Sequence, residues 1–224
     1  MKLASKLCSV IVACGMAASA NAGVINYDVD FDTATFEGMS RQNNVDSDYF
    51  VQNNGAIRIY SDSWFAIDLE DTFGIDSVNL DDPLTNYTLD FKFRLFQRIG
   101  DGGEARGVPT SLPEIGGLFF ADFSGGQTDA VSSQSFNLVG TQNWGLDDFS
   151  YTNDRWQRFS IELDNYLSGS FTHIVLVNDC DIECGNTQVR FRDMTLSEVS
   201  APTALSLAVL GLGITGWRRH RRSV

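Results

Sequence analysis

Tyr87-Thr88-Leu89-Asp90-Phe91-Lys92-Phe93-Arg94-Leu95 decides the fold class. Apolar side chains take every odd position and polar or charged ones every even position. Successive side chains of an extended chain point to opposite faces. The stretch therefore predicts a strand with one face in a core and one in water. Working outward, residues 26–32 alternate in the same way, with Tyr27, Val29 and Phe31 against Asp28, Asp30 and Asp32. Further runs follow at 57–60, 63–69, 118–123, 135–139, 156–163, 171–178 and 188–199. Trp156 opens one of them and is expected in the core with Phe159, Ile161 and Leu163. Roughly ten short strands punctuated by Gly, Asn and Asp predict an all-β, antiparallel β-sandwich. In the last run Val189 and Phe191 share one parity, Met194 and Leu196 the other. A bulge near Arg192-Asp193 reconciles them and re-aims Asp193. Residues 100–117, rich in Gly and carrying Pro109 and Pro113, read as a long loop.

The two ends read as addresses. Lys2 and Lys6, an apolar run over 7–18 and Ala20-Asn21-Ala22 form a signal peptide over residues 1–22. A rival reading takes 11–14 as a lipoprotein box ending at Cys14. At the other end an apolar run over 204–217 precedes Arg218, Arg219, Arg221 and Arg222. As a helix at ~1.5 Å per residue it covers roughly 21 Å, short of a hydrocarbon core ~30 Å thick. By the positive-inside rule the arginines stay cytoplasmic. One sandwich domain over 23–198 is expected between the two signals. All 29 acidic residues of the chain lie between 23 and 200, against ten basic ones, a net charge of −19 there compared with −13 overall. Such a surface repels nucleic acid and anionic lipid.

Val199-Ser200-Ala201-Pro202, the short apolar helix and the arginine cluster resemble the PEP-CTERM sorting signal of Gram-negative bacteria. The motif keeps Val and the last Pro and lacks the Pro-Glu pair. The resemblance covers residues 199–224. It implies an exosortase-type sorting enzyme as partner, transient anchoring in the inner membrane, and delivery to the cell surface, outer membrane or extracellular matrix. An ordinary C-terminal anchor is the competing reading.

Phe31-Asp32 to Phe36-Glu37-Gly38 and the run 189–196 resemble the first and last strands of jelly-roll carbohydrate-binding modules, and 136–145 and 151–161 resemble stretches of extracellular modules attached to glycan-active proteins. Many such modules hold a structural calcium between first and last strands. By position the resemblance implies Asp30, Asp32 and Asp193 as its ligands; calcium wants several oxygens. The competing reading has Asp28, Asp30 and Asp32 lining a solvated edge. Sugar binding needs aromatic platforms beside a few polar groups. The candidates are Trp144 with Asn143 and Gln142, then Trp64 and Tyr151.

Cys180 and Cys184 remain once the signal peptide leaves, and outside the cytoplasm so close a pair reads as a disulfide clamping one loop. Residues 179–190 fail as an EF-hand, because Gly185 comes one position late and Arg190 stands where Glu is needed. His173, the one histidine between the two signals, sits in a strand with no Gly-x-Ser-x-Gly elbow to serve. No strand carries the Glu-x-Asp-x-Glu face of a sandwich glycosidase, and Glu162 with Asp164 reads as an ordinary acidic strand face. The sequence therefore predicts an exported, non-catalytic surface or matrix protein that binds extracellular polysaccharide. A structural or adhesive surface protein without sugar specificity is the alternative, and a glycan-active enzyme comes third.

Overall fold

Alternation governs which side chains meet. The computed structural model describes residues 23–34, 36–38, 49–52, 54–60, 62–99, 103–104, 112–146, 149–152, 155–180 and 187–200. The decisive stretch lies inside β7 (Thr85–Ile99). Its Leu89, Phe91, Phe93 and Leu95 are at most 3% exposed, and the even positions face outward. The other principal strands are β1 (Val24–Asp28), β2 (Phe36–Gly38), β3 (Tyr49–Gln52), β4 (Ala56–Tyr60) and β5 (Ser63–Asp68). After β7 come β9 (Ile115–Ala121), β10 (Ser135–Val139), β11 (Gln157–Glu162), β13 (His173–Asp179) and β14 (Thr187–Ser200). Three two-residue strands complete the set: β6 (Val78–Asn79), β8 (Gly103–Glu104) and β12 (Ser170–Phe171).

One sheet runs β11-β7-β14-β4-β3, with β1 also paired to β14 and β8 to β7. A second runs β10-β9-β13-β5-β2, and β12 pairs β6 apart from both. Neighbouring strands are antiparallel throughout. A single buried cluster draws Phe91, Phe93, Phe159 and Phe191 from the large sheet and Phe65, Phe120, Phe136 and Ile174 from the small one. Two sheets sharing one apolar filling make a sandwich, the architecture the alternation predicts. The small sheet also buries Trp64, Phe119, Val175 and Val177 on its far side, where Phe123 and Trp144 pack over them.

β14 is the organising strand. It pairs β7 along twelve register positions on one side, and β4 then β1 on the other. The expected bulge is present: Arg192 opposes Lys92 and Thr195 opposes Asp90, so Asp193 and Met194 share the place opposite Phe91. Asp193 takes a φ of 49°, the left-handed conformation that lets the strand change parity.

Three expectations are corrected. The first strand stops at Asp28, because Asp30 turns the chain: its carbonyl accepts from Thr33 N and Ala34 N, and its Oδ1 from Asp32 N. Gly116 and Gly117 belong to β9, not a loop. A Cβ on Gly117 would collide with the Phe136 carbonyl, so the close approach of β10 requires glycine. The last strand continues to Ser200, through the first half of the proposed sorting motif, and Ser200 N donates to Gly23 O. Residues 1–22 and 201–224, with Ala201, Pro202 and the four tail arginines, lie outside the described residues. Among the described residues no helix is long and apolar enough to cross a membrane.

Candidate functional site

The bulge in β14 sits over an open cleft of about 410 Å³ on the outer face of the large sheet. Register builds its floor. Asp28 of β1 opposes Thr195, Thr195 opposes Asp90 of β7, and Asp90 opposes Ser160 of β11. One step along, Arg192, Lys92 and Arg158 form the adjacent row. Side chains two residues apart share a face, so the cleft is lined by Asn26, Asp28, Asp90, Lys92, Arg158 and Asp193 with hydroxyls between.

These groups hold one another in place. Lys92 Nζ donates to Asp193 Oδ2 at 2.6 Å, and Arg158 Nη2 to Asp90 Oδ1 at 2.9 Å. Thr195 Oγ1 donates to Asp28 Oδ1 at 2.6 Å, and Ser197 Oγ to Asn26 Oδ1 at 2.9 Å. Each of the three carboxylates keeps one oxygen without a protein donor among the described residues. An ionised carboxylate offers about four acceptor sites, so acceptors remain for a ligand's hydroxyls. Trp156, expected in the core, stands at the border of this face with the Arg192 guanidinium 4.2 Å from its ring centre. Its even number sets it opposite in parity to Phe159 and Ile161, which do reach the core.

The expected calcium ligands are not assembled. Asp30 is spent on its turn, Asp32 is exposed, and Asp193 faces Lys92 and Arg192. Among the described residues no three His, Cys, Asp or Glu side chains are placed to share an ion.

The expected sugar platforms separate. Trp64 is buried at 7% exposure, packs edge-on to Phe119 and donates from Nε1 to Asp179 Oδ1. A ring so enclosed offers no face to a sugar. Tyr151 packs edge-on to Phe93, and its hydroxyl donates to Arg155 O. Trp144 is half-buried against the far side of the small sheet, with Gln142 and Asn143 exposed beside it. Gln142 is held by Glu114, which accepts from Nε2. Cys180 is half-buried just past β13, and Cys184 lies outside the described residues.

A second cavity, about 550 Å³, is lined by Asp68, Glu70, Asp76, Asp122 and His173 with four hydroxyl residues. Its acids have structural work. Asp68 caps the short helix α1 (Leu69–Phe73) by accepting from Glu70 N and Asp71 N. Asp122 accepts from Ser124 Oγ and Gly125 N, which holds its carboxyl below the usual carboxylate range. His173 lies 3.3 Å from Asp68 Oδ2, bonds Thr172 Oγ1 through Nδ1 and stacks on Phe123. It is a buried strand histidine.

No protein-family model matches this chain, and no curated protein does. Solved structures to which this chain is similar include a peanut lectin with a nine-residue peptide (11% identity, TM-score 0.39, covering 80% of this chain and 98% of that one). Arcelin-5, a lectin-like defence protein from Phaseolus vulgaris, gives 9% identity and a TM-score of 0.42, covering 79% and 98%. A basic winged bean lectin with Tn-antigen gives 8% and 0.39, covering 79% and 98%. Likeness this distant transfers neither ligand nor site.

Proposed function

We propose that this chain is an exported, non-catalytic surface or matrix protein that binds extracellular polysaccharide across the outer face of its large sheet. The observation that carries the reading is the open cleft at the β14 bulge. Its donors and unsatisfied acceptors alternate over a flat floor, and an open floor admits a polymer that continues past both ends. Trp156 supplies a ring at the border, where a sugar's apolar face can stack.

Delivery belongs to the same reading. The signal peptide exports the chain, and a PEP-CTERM-like tail following Ser200 carries it through the inner membrane to an exosortase-type enzyme. Gly23 and Ser200 are hydrogen-bonded neighbours, so both signals leave from one end of β14. The Arg190 end of that strand lies about 30 Å away at ~3.3 Å per residue. A disulfide between Cys180 and Cys184 would close the turn into β14.

The test is a polysaccharide binding screen of the purified full-length protein, with Asp90→Ala as the site variant. Binding by the wild type, weakened about tenfold by Asp90→Ala at unchanged melting temperature, is the expected result. Silence across matrix polysaccharides with a well-folded sample would transfer the weight to a structural surface protein.

A further inference from the structure

In a domain carrying 29 acids against ten bases, six of the ten bases stand on one sheet face. Arg58, Arg190 and Arg94 are direct cross-strand partners, and Arg192, Lys92 and Arg158 form the next row. Cross-strand neighbours are separated by only about 5 Å between Cβ atoms, and like charges set opposite one another destabilise a sheet. The fold offsets part of that repulsion with Phe96, whose ring lies 3.6 Å from the Arg190 guanidinium and 4.2 Å from that of Arg94. Among the described residues the register partners within the Arg58–Arg190–Arg94 row include no carboxylate. Among the described side chains, the acids Asp28, Asp90, Asp193 and Glu162 of this face lie on the other side of the bulge or at it. The Nε atoms of Arg58 and Arg94 are shielded from water with no hydrogen-bond partner among the described residues. The other guanidinium nitrogens of these two half-exposed side chains are the donors this face can offer.

We infer that the ligand of this face is an anionic polysaccharide of the uronic-acid class, its carboxylates on the arginine rows and its hydroxyls over the neighbouring cleft. The inference rests on the polysaccharide reading above and names the chemical class. Arginine's planar fork matches a carboxylate in two parallel hydrogen bonds. The domain's overall negative charge does not forbid this. At physiological salt, charges more than ~8 Å away are largely screened; Lys92 and Arg158 are paired with Asp193 and Asp90, so Arg58 and Arg94 dominate the field at their own row. Arg190 is buried between its two register partners. Arg58 and Arg94, half-exposed, make the contacts.

The experiment titrates the full-length protein with oligogalacturonate, its methyl ester, a neutral cello-oligosaccharide and polyglutamate, at low and high salt. Arg58→Gln and Arg94→Gln are compared, each with its melting temperature as the control on folding. The expected result is salt-sensitive binding of the acid form, weakened about tenfold by esterification or by either substitution. Equal binding of the acid, ester and neutral chains, indifferent to both substitutions, overturns the inference and leaves the polysaccharide reading standing. Binding of polyglutamate alone through the two arginines overturns both, making the face a dock for acidic protein. No binding of any probe by the folded protein overturns both as well.

Discussion

Trp156 and Phe159, three residues apart, are predicted to differ sharply when each is cut to alanine. Phe159 is 5% exposed, stacks on Phe91 at 5.4 Å between ring centres and meets Phe93 edge-on. Removing a buried Phe ring leaves a cavity and costs about 3–5 kcal/mol. For a domain of this size that lowers the melting temperature by roughly 6–20 °C. Trp156 is half-buried on the opposite face, and its described ring contact is Arg192. A cation–π contact at such a site contributes about 0.5–1 kcal/mol, so Trp156→Ala should cost only a few degrees. Thermal and urea unfolding of the two variants measure the contrast. Equal losses, or a larger one for Trp156→Ala, would refute the register that puts β11 against β7.

Three further expectations follow from the same geometry. Asp193 holds a left-handed φ of 49° and an ion pair with Lys92; Asp193→Gly should stay within about 0.5 kcal/mol of wild type, whereas Asp193→Ala should lose about 1 kcal/mol. A large loss for the glycine variant in urea unfolding would contradict the bulge. Burial, then Glu198 and Tyr27, push the Tyr87 hydroxyl up to about 12. The unfolded chain releases that proton near pH 10 while the folded chain retains it, so stability should fall by about 2–3 kcal/mol between pH 10 and 12. Tyr87→Phe should remove most of that fall in alkaline unfolding curves. Thiol titration of the denatured, unreduced exported protein should find no free thiols, as a Cys180–Cys184 disulfide requires; two free thiols would end that expectation.

The sandwich was legible because its decisive strand alternates without a fault and is wet on one face. The bulge was legible too, since Val189 and Phe191 against Met194 and Leu196 cannot share a face without an extra residue. The cleft and the cationic rows were not. Arg58, Lys92, Arg158 and Arg192 belong to four strands spread over more than 130 residues and meet only through antiparallel register. A strongly negative total also hid how the charge is partitioned. Asp30 misled because an aspartate that continues an alternation can equally turn the chain through its own side chain. Trp156 misled although its parity was readable: its even number already separated it from Phe159. Gln142, Asn143 and Trp144 lie in the irregular stretch after β10. Trp144 still uses part of its ring to cover the small sheet.

Filling the outer face of the large sheet shows whether the ligand lies there. Thr195 stands mid-cleft between Asp28 and Asp90, and a strand accepts Trp readily. Calorimetric titration of Thr195→Trp with the tightest-binding polysaccharide, alongside Trp144→Ala, measures it. Thr195→Trp should lose binding at least about tenfold with little change in melting temperature, while Trp144→Ala should keep it. Full affinity in Thr195→Trp, with loss in Trp144→Ala, would contradict the account and place the ligand at residues 141–146.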